Sequence, residues 1–319
     1  MSSRYTSAIN VSTVLGSGGQ RLGSKERVMK VGFVGLGAMG GAMAANLLKG
    51  VQALTVYNRT QEKAEPLVAR GAVLARTPAE AARGDIVISM LADDAAVQAV
   101  VFGGEGLLAA LPPGAIHISM STISFALAER LATARQDSTS SRHQCSVDPR
   151  RRQRPSYSSS PRGSRSGFRV PATFRQRTFV IAAEAPKATL VKLSGNFLIA
   201  SVIECLGEAF ALTSKAGIDR EAYLEILTNT LFGSPVYKTY GELIARERYT
   251  PAGFKVGLGY KDIHLALDAA ETLAAPMPVA SFIHDRFLSL IASGGGDLDW
   301  SALATLAERD AGRNSTMSE

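Results

Sequence analysis

Three glycines have the spacing of a ligand-binding turn between a strand and a helix. Gly35, Gly37 and Gly40 form a G-x-G-x-x-G pattern, with a short apolar run before it and an Ala-rich stretch of helical periodicity after it. In such a strand-turn-helix unit the first glycine permits the tight turn. The second lets the backbone approach a pyrophosphate, and the third lets the helix pack closely on the strand. The pattern predicts dinucleotide binding rather than a plain glycine-rich turn. The predicted contacts are Gly35, Leu36, Gly37, Ala38, Met39 and Gly40.

The residues after the next predicted strand, 53–57, indicate which dinucleotide is bound. An acidic residue there would bind the ribose 2′-hydroxyl of NAD. This chain has Asn58, Arg59 and Thr60 instead, and an arginine can pair bidentately with a 2′-phosphate. NADP is therefore predicted as the cofactor, with NAD less favoured. The alternative is a surface turn in which the arginine is incidental.

A lysine and an asparagine have the spacing needed to share one helix face. Lys192 and Asn196 are four residues apart in an apolar stretch of about 30 residues that starts at Pro186. Burial among apolar side chains should lower the pKa of the lysine, which suits proton transfer near neutral pH. The alternative is a lysine at the helix edge whose ammonium group reaches solvent.

The elements that would position these residues alternate between strand and helix from residue 30 to residue 119. This order predicts an α/β Rossmann-like domain with a doubly wound parallel sheet. Ligands of such sheets bind at the carboxyl ends of the strands, which brings Leu91, Ser121 and Thr122 near the cofactor. For Ser121 and Thr122 the alternative is a helix N-cap before Ala126.

The second half of the chain shows only helical patterns after a last short strand at 178–181. It predicts an all-α domain built on the long interdomain helix that carries Lys192. The expected organisation is a disordered leader at 1–28, a dinucleotide-binding domain at 29–185, a helical domain at 186–312 and a tail at 313–319. Met29 is a candidate for the true start.

Composition limits the remaining possibilities. No apolar run is expected to span a membrane, no metal site is predicted, and two cysteines do not suggest a disulfide framework, so a cytoplasmic protein is expected. The net charge of +7 could suggest nucleic-acid binding. Residues 135–175, however, hold ten arginines against two aspartates, so the basic character belongs to one segment and nucleic acid is not an expected partner.

Taken together, the motifs resemble the β-hydroxyacid dehydrogenase family, which includes 3-hydroxyisobutyrate dehydrogenases, glyoxylate and semialdehyde reductases and the related 6-phosphogluconate dehydrogenases. The matching pieces are VGFVGLGAMG, VYNRT, ISMLADD, SMSTIS, VKLSGNF and GYKD. They occur in family order and cover about 29–134 and 176–312.

The resemblance implies roles that spacing alone does not give. It implies that Lys192 is the catalytic acid and base and that Asn196 binds substrate. Ser121 and Thr122 would contact substrate and nicotinamide, and Lys261 would reach the cofactor. A homodimer or homotetramer is also implied. Lys192 argues against the related imine reductases, which generally lack that lysine.

Residues 135–175 depart from the family pattern, which has two more strands and a glycine-containing substrate loop there. The segment holds ten serines and ten arginines, without lysine, leucine or isoleucine, and cannot bury enough apolar surface to order itself. One interpretation is a disordered insert. The preferred interpretation is out-of-frame translation, because a shift of one nucleotide upstream lets 142–150 read AAPVFGRPA and 156–163 read KLFIVAAG.

The function predicted from these observations is NADP-dependent interconversion of a small β-hydroxyacid and its oxo-acid or semialdehyde. Residues 135–175 would impair it, since the substrate loop falls there. Two alternatives remain open at this point. One is a catalytically silent NADP-binding protein, and the other is a reductase of another carbonyl or imine substrate on the same scaffold.

Overall fold

The computed structural model describes residues 13–15, 29–51, 53–113, 115–140 and 185–313. The chain divides into two compact units, one spanning Ser12–Ala188 and the other containing Thr189–Glu319. The division falls inside a helix, a few residues after the boundary expected at 185/186. Each unit is described by itself below.

The first unit is built on a six-stranded sheet in the order β1-β6-β5-β2-β3-β4. All neighbouring strands are parallel except β1, which is antiparallel to β6. The strand β2 that precedes the glycine turn therefore lies in the interior of the sheet. The strands are β1 (Thr13–Leu15), β2 (Lys30–Val34), β3 (Ala53–Tyr57), β4 (Val73–Leu74), β5 (Ile86–Ser89) and β6 (Ile116–Ser119).

Helices connect the parallel strands and cover both faces of this sheet. One apolar cluster joins Phe33 and Ile88 to the inner side of the first helix, and a second joins Val34 and Val87 to helices on the opposite side. The predicted doubly wound α/β fold is confirmed. Its helices are α1 (Ala38–Leu47), α2 (Glu65–Val68), α3 (Pro78–Ala81), α4 (Asp94–Phe102), α5 (Leu107–Ala110) and α6 (Phe125–Ser140).

Two segments expected to be disordered contain regular structure. Thr13–Leu15 forms β1, so the expected disorder of 1–28 is wrong at these residues. β-branched residues suit a strand, and the edge of β6 offers unpaired backbone groups with which they pair. Helix α6 also continues to Ser140, which extends order into the segment that starts at 135. The predicted strand at 178–181 lies outside the described residues.

The second unit is helical, as predicted, and its longest element is α7 with 31 residues. Ile203 and Phe210 of this helix join a core that also contains Ile263, Phe287 and Trp300. Two short 3-10 turns, Gly295–Asp297 and Trp300–Leu303, precede the last helix. The helices are α7 (Ala185–Lys215), α8 (Arg220–Asn229), α9 (Pro235–Ala245), α10 (Val256–Thr272), α11 (Pro278–Ala292) and α12 (Ala304–Asp310).

Within the described ranges one helix, Pro186–Lys215, is long and apolar enough to cross a membrane by length and composition. The expectation that no apolar run reaches this length is therefore wrong for α7. Half of its most apolar window is nevertheless buried inside the protein, and its buried residues belong to the core of the helical unit. Packing against other helices accounts for the apolar composition of a core helix.

Candidate active site

The three glycines of the turn between β2 and α1 have different structural roles. Gly35 has φ +96°, and a Cβ there would lie 2.2 Å from the carbonyl oxygen of Met90. A Cβ on Gly40 would lie 2.0 Å from the carbonyl oxygen of Gly35. A Cβ on Gly37, by contrast, would meet no atom within 4 Å. Gly35 and Gly40 are thus required by the packing of the turn, whereas Gly37 leaves an open approach to backbone.

The residues of this turn fit a dinucleotide. Gly37 is the N-cap of α1 and has no side chain to accept the first N–H groups of the helix, and the first turn contains no acidic residue. Gly37 and Ala38 are exposed, Met39 is half-buried and Leu36 is buried. An exposed helix N-terminus of this kind can hold the negative charge of a pyrophosphate.

The loop after β3 is joined to the glycine turn by Asn58. The backbone N–H of Leu36 donates to Asn58 Oδ1 at 2.8 Å, and Asn58 Nδ2 donates to the carbonyl oxygen of Thr60 at 2.8 Å. One position earlier, the N–H of Gly35 donates to the carbonyl oxygen of Tyr57 at 2.9 Å. Arg59 and Thr60 are exposed. Both polar groups of the Asn58 amide are therefore bonded within the protein, whereas Arg59 beside it is exposed.

Side chains also join the loops after β5 and β6. The N–H of Leu91 donates to Ser121 Oγ at 2.8 Å, and Ser121 is buried while Thr122 is half-buried. The cap of α6 is Ser124, whose Oγ accepts the N–H of Leu127 at 3.1 Å. The interpretation of Ser121 and Thr122 as a helix N-cap is therefore wrong. The two residues lie at the carboxyl edge of the sheet, where a ligand would bind.

In the helical unit, Lys192 and Asn196 share a face of α7 and are both buried, with 7% and 6% of their surfaces exposed. The alternative of a lysine that reaches solvent is wrong. Asn196 Nδ2 donates to Asp262 Oδ2 on α10 at 2.6 Å, and Lys261 Nζ lies 3.1 Å from Asp262 Oδ1. The predicted residues Lys192, Asn196 and Lys261 are thus gathered around one buried carboxylate.

The electrostatics of this group favour proton transfer. Burial lowers the pKa of Lys192 to about 8, the charge of Asp262 opposes this shift, and the charge of Lys261 adds to it. Burial raises the pKa of Asp262, while Lys261, Lys192 and Asn196 act in the opposite direction. An amine with a pKa near 8 populates both protonation states close to neutral pH, as a general acid and base requires.

Asp262 is a site residue that the motifs did not single out. Lys261-Asp262 is an ordinary charged pair in sequence, and the family resemblance implies a role for Lys261 alone. A signal was nevertheless present, because Asp262 lies on the buried face of α10 with Gly259, Ile263 and Ala266. A carboxylate on an apolar helix face needs a partner, and this indicates a function for the residue.

Comparison with known proteins finds matches for the dinucleotide-binding unit and for the helical unit. The model of the NAD binding domain of 6-phosphogluconate dehydrogenase matches residues 30–143, and the model described as NAD-binding of NADP-dependent 3-hydroxyisobutyrate dehydrogenase matches residues 187–307. The uncharacterized oxidoreductase YfjR of Bacillus subtilis is 42% identical over 291 residues, 86% of this chain and 98% of that protein. The chain belongs to the β-hydroxyacid dehydrogenase family.

Other members of the β-hydroxyacid dehydrogenase family are also similar to this chain. Glyoxylate/succinic semialdehyde reductase 1 of Arabidopsis thaliana is 32% identical over 290 residues, 86% of this chain and 97% of that protein. A 3-hydroxyisobutyrate dehydrogenase structure from Salmonella typhimurium has the same fold, with a TM-score of 0.68 at 22% identity, covering 87% of this chain and 99% of that one. This member of the family is an NAD(P)-dependent oxidoreductase that acts on CH–OH groups.

Proposed function

We propose that this enzyme interconverts a small β-hydroxyacid and its oxo-acid or semialdehyde with NADP as the cofactor. The observation that carries the proposal is the buried Lys192, whose pKa is about 8, in a group with Asn196 and Asp262. The activities for which the relatives are named support the substrate class. Besides the Arabidopsis reductase, 2-hydroxy-3-oxopropionate reductase of Escherichia coli is 29% identical over 296 residues.

The preference for NADP rests on the loop after β3. Arg59 is exposed there, and position 58 holds a neutral amide where an acidic side chain would select the ribose hydroxyl of NAD. An arginine fork can bind a 2′-phosphate with two hydrogen bonds. The glycine turn and the N-terminus of α1 would hold the pyrophosphate. When bound, the nicotinamide supplies a hydride to a carbonyl carbon or accepts one from a carbinol carbon.

Lys192 moves the proton that accompanies the hydride. In the reducing direction its ammonium group donates a proton to the carbonyl oxygen of the substrate. In the oxidising direction its neutral amine accepts the hydroxyl proton. The lowered pKa makes both forms available near neutral pH, so one residue serves both directions.

We assign the orientation of the substrate to Asn196 in the helical unit, and ligand contacts within the first unit to Ser121 and Thr122. The amide nitrogen of Asn196 is held by Asp262, which fixes the amide plane. The hydroxyl oxygen of Ser121 accepts the N–H of Leu91, so its hydrogen can be donated to a substrate carboxylate. Small acids carry such a carboxylate, and hydroxyl and amide groups recognise it without the need for a large apolar pocket.

The proposal is tested by following NADPH oxidation with glyoxylate, succinic semialdehyde and 2-hydroxy-3-oxopropionate. Turnover of at least one is expected, and K192A should lower kcat by about 10²–10⁴, the usual contribution of a general acid. The control is K238A, which removes an exposed lysine on α9. Near-normal kcat in K192A would disprove the role of Lys192, and NADPH binding without turnover of any acid or aldehyde would favour a silent NADP-binding protein.

A further inference from the structure

The side chain of Asn58 is the point at which two loops of the cofactor half-site meet. Its Oδ1 accepts the N–H of Leu36 in the glycine turn, and its Nδ2 donates to the carbonyl oxygen of Thr60, both at 2.8 Å. Next to it, Gly35 and Tyr57 are joined by a backbone hydrogen bond of 2.9 Å. The turn that faces a pyrophosphate and the loop that carries Arg59 are thus joined at consecutive positions.

The two hydrogen bonds require an acceptor and a donor on one short, planar group. An asparagine amide provides both. Aspartate would retain an acceptor for Leu36 N–H but would face the carbonyl oxygen of Thr60 without a hydrogen. Alanine would leave the N–H of Leu36, a buried residue, without this partner. The chemistry of the position is therefore set by the protein's own backbone as well as by a ligand.

We infer that Asn58 is a positioning residue for the whole dinucleotide rather than a direct ligand of its 2′-phosphate. Through Leu36 it fixes the glycine turn, on which the pyrophosphate of any nicotinamide dinucleotide depends. Through Thr60 it fixes the backbone on both sides of Arg59, on which the 2′-phosphate depends. Cofactor preference thus comes from Arg59, and Asn58 holds the loop that presents it. This inference rests on the proposed use of NADP.

The two roles predict different losses of affinity. Arg59 should affect NADPH alone, because NADH has no 2′-phosphate. Asn58 should affect NADPH and NADH together, because both carry the pyrophosphate. The experiment is a fluorescence titration of the full-length protein with each reduced cofactor, for the wild type, N58A, R59A and the control N46A, which removes an exposed amide from α1.

We expect N58A to weaken both cofactors by about the same factor, near tenfold for a lost turn contact. We expect R59A to weaken NADPH by about 10- to 100-fold without a change for NADH. Loss of NADPH affinity in N58A with unchanged NADH affinity would overturn the inference, because a direct phosphate ligand behaves in that way. Equal losses in N58A with no effect of R59A would disprove the NADP preference while supporting the positioning role.

A second measurement keeps the inference testable if N58A does not fold. In the wild-type protein without cofactor, the N–H of Leu36 should be protected from hydrogen exchange, since Asn58 accepts it. Rapid exchange of this amide in a folded, cofactor-free protein would overturn the inference. Protection comparable to that of Gly35, whose N–H is bonded to Tyr57, would support it.

Discussion

The side-chain amide of Asn196 donates a 2.6 Å hydrogen bond to Asp262, a carboxylate that is 1% exposed and 66 residues away in sequence. This bond joins α7 to α10 within the helical unit. It places a negative charge close to Lys192, whose own charge is destabilised by burial. Asp262 therefore acts on both proposed functional groups of α7: it orients the amide of Asn196, and it raises the proton affinity of Lys192.

The rate of each reaction direction should depend on pH through Lys192. Reduction needs the ammonium form, so its kcat/KM should fall as pH rises through about 8, the pKa of Lys192. Oxidation needs the neutral amine and should accelerate over the same interval. Initial rates measured in both directions between pH 6 and 10 would check this. Two curves that rise and fall together would contradict a single acid and base.

Replacement of Asp262 should move this pH dependence. D262N keeps an acceptor for Asn196 but removes the charge that raises the pKa of Lys192. The inflection of the reduction profile should therefore shift to lower pH, with a smaller change in the rate at acidic pH. An inflection that stays in place or moves upward would show that Asp262 does not set the charge state of Lys192. The control E225Q alters an exposed carboxylate on α8.

The buried charge of Lys192 should reduce stability. Its pKa is about 8 in the folded state against 10.5 for an ordinary lysine, so the unfolded chain binds the proton more tightly. The penalty is complete below pH 8 and disappears as pH rises toward 10.5. A shift of this size corresponds to about 3 kcal/mol, in which the attraction between Asp262 and the ammonium group is already included.

K192M should accordingly raise the free energy of unfolding by about 1–3 kcal/mol at pH 7, with the gain decreasing between pH 8 and 10. Denaturant unfolding at several pH values measures this. Lys261→Met is the matched variant, and it should destabilise the protein, because Asp262 loses the ammonium group 3.1 Å away. A K192M protein less stable than the wild type at pH 7 would mean that attraction to Asp262 exceeds the cost of burial.

The glycines of the turn should respond differently to alanine. G37A places its methyl group in open space at φ −65°, so folding should be preserved while cofactor affinity falls at least tenfold. G35A combines φ +96° with a 2.2 Å approach to Met90 and should lower stability by about 2–4 kcal/mol. Thermal unfolding and NADPH titration of both variants separate the two effects. A destabilised G37A with normal affinity would contradict this assignment.

The coding DNA across residues 130–180 should contain the family-like segment in another frame. Read one nucleotide upstream, it is expected to encode a Gly-Arg-Pro loop and an apolar strand without stop codons. Resequencing checks this directly, and a protein expressed from the repaired frame should turn over substrate faster than the present chain. Stop codons or a polar string in that frame would leave the Arg/Ser segment as a genuine insert.

Local spacing was sufficient to predict the glycine turn and the Lys192–Asn196 pair, because each motif lies within one strand-turn-helix unit or one helix. Contacts between distant segments were not predictable in the same way. Asn196, which donates to Asp262, and Leu36, which donates to Asn58, lie on other elements than their partners. The sequence near each residue does not indicate these two bonds. The pairing of β1 with β6 joins Thr13 to Ser119 and depends on an edge that exists only in the folded sheet.

That pairing has a consequence for expression of the protein. β1 pairs with the outer edge of β6. Without β1, the unpaired backbone groups of β6 could form hydrogen bonds with a strand of another molecule. A variant without β1 would retain the glycine turn and all five parallel strands, β2 to β6, yet it would lack this short cover. Loss of β1 would then raise the tendency of the newly made protein to aggregate, although no residue of the glycine turn is changed.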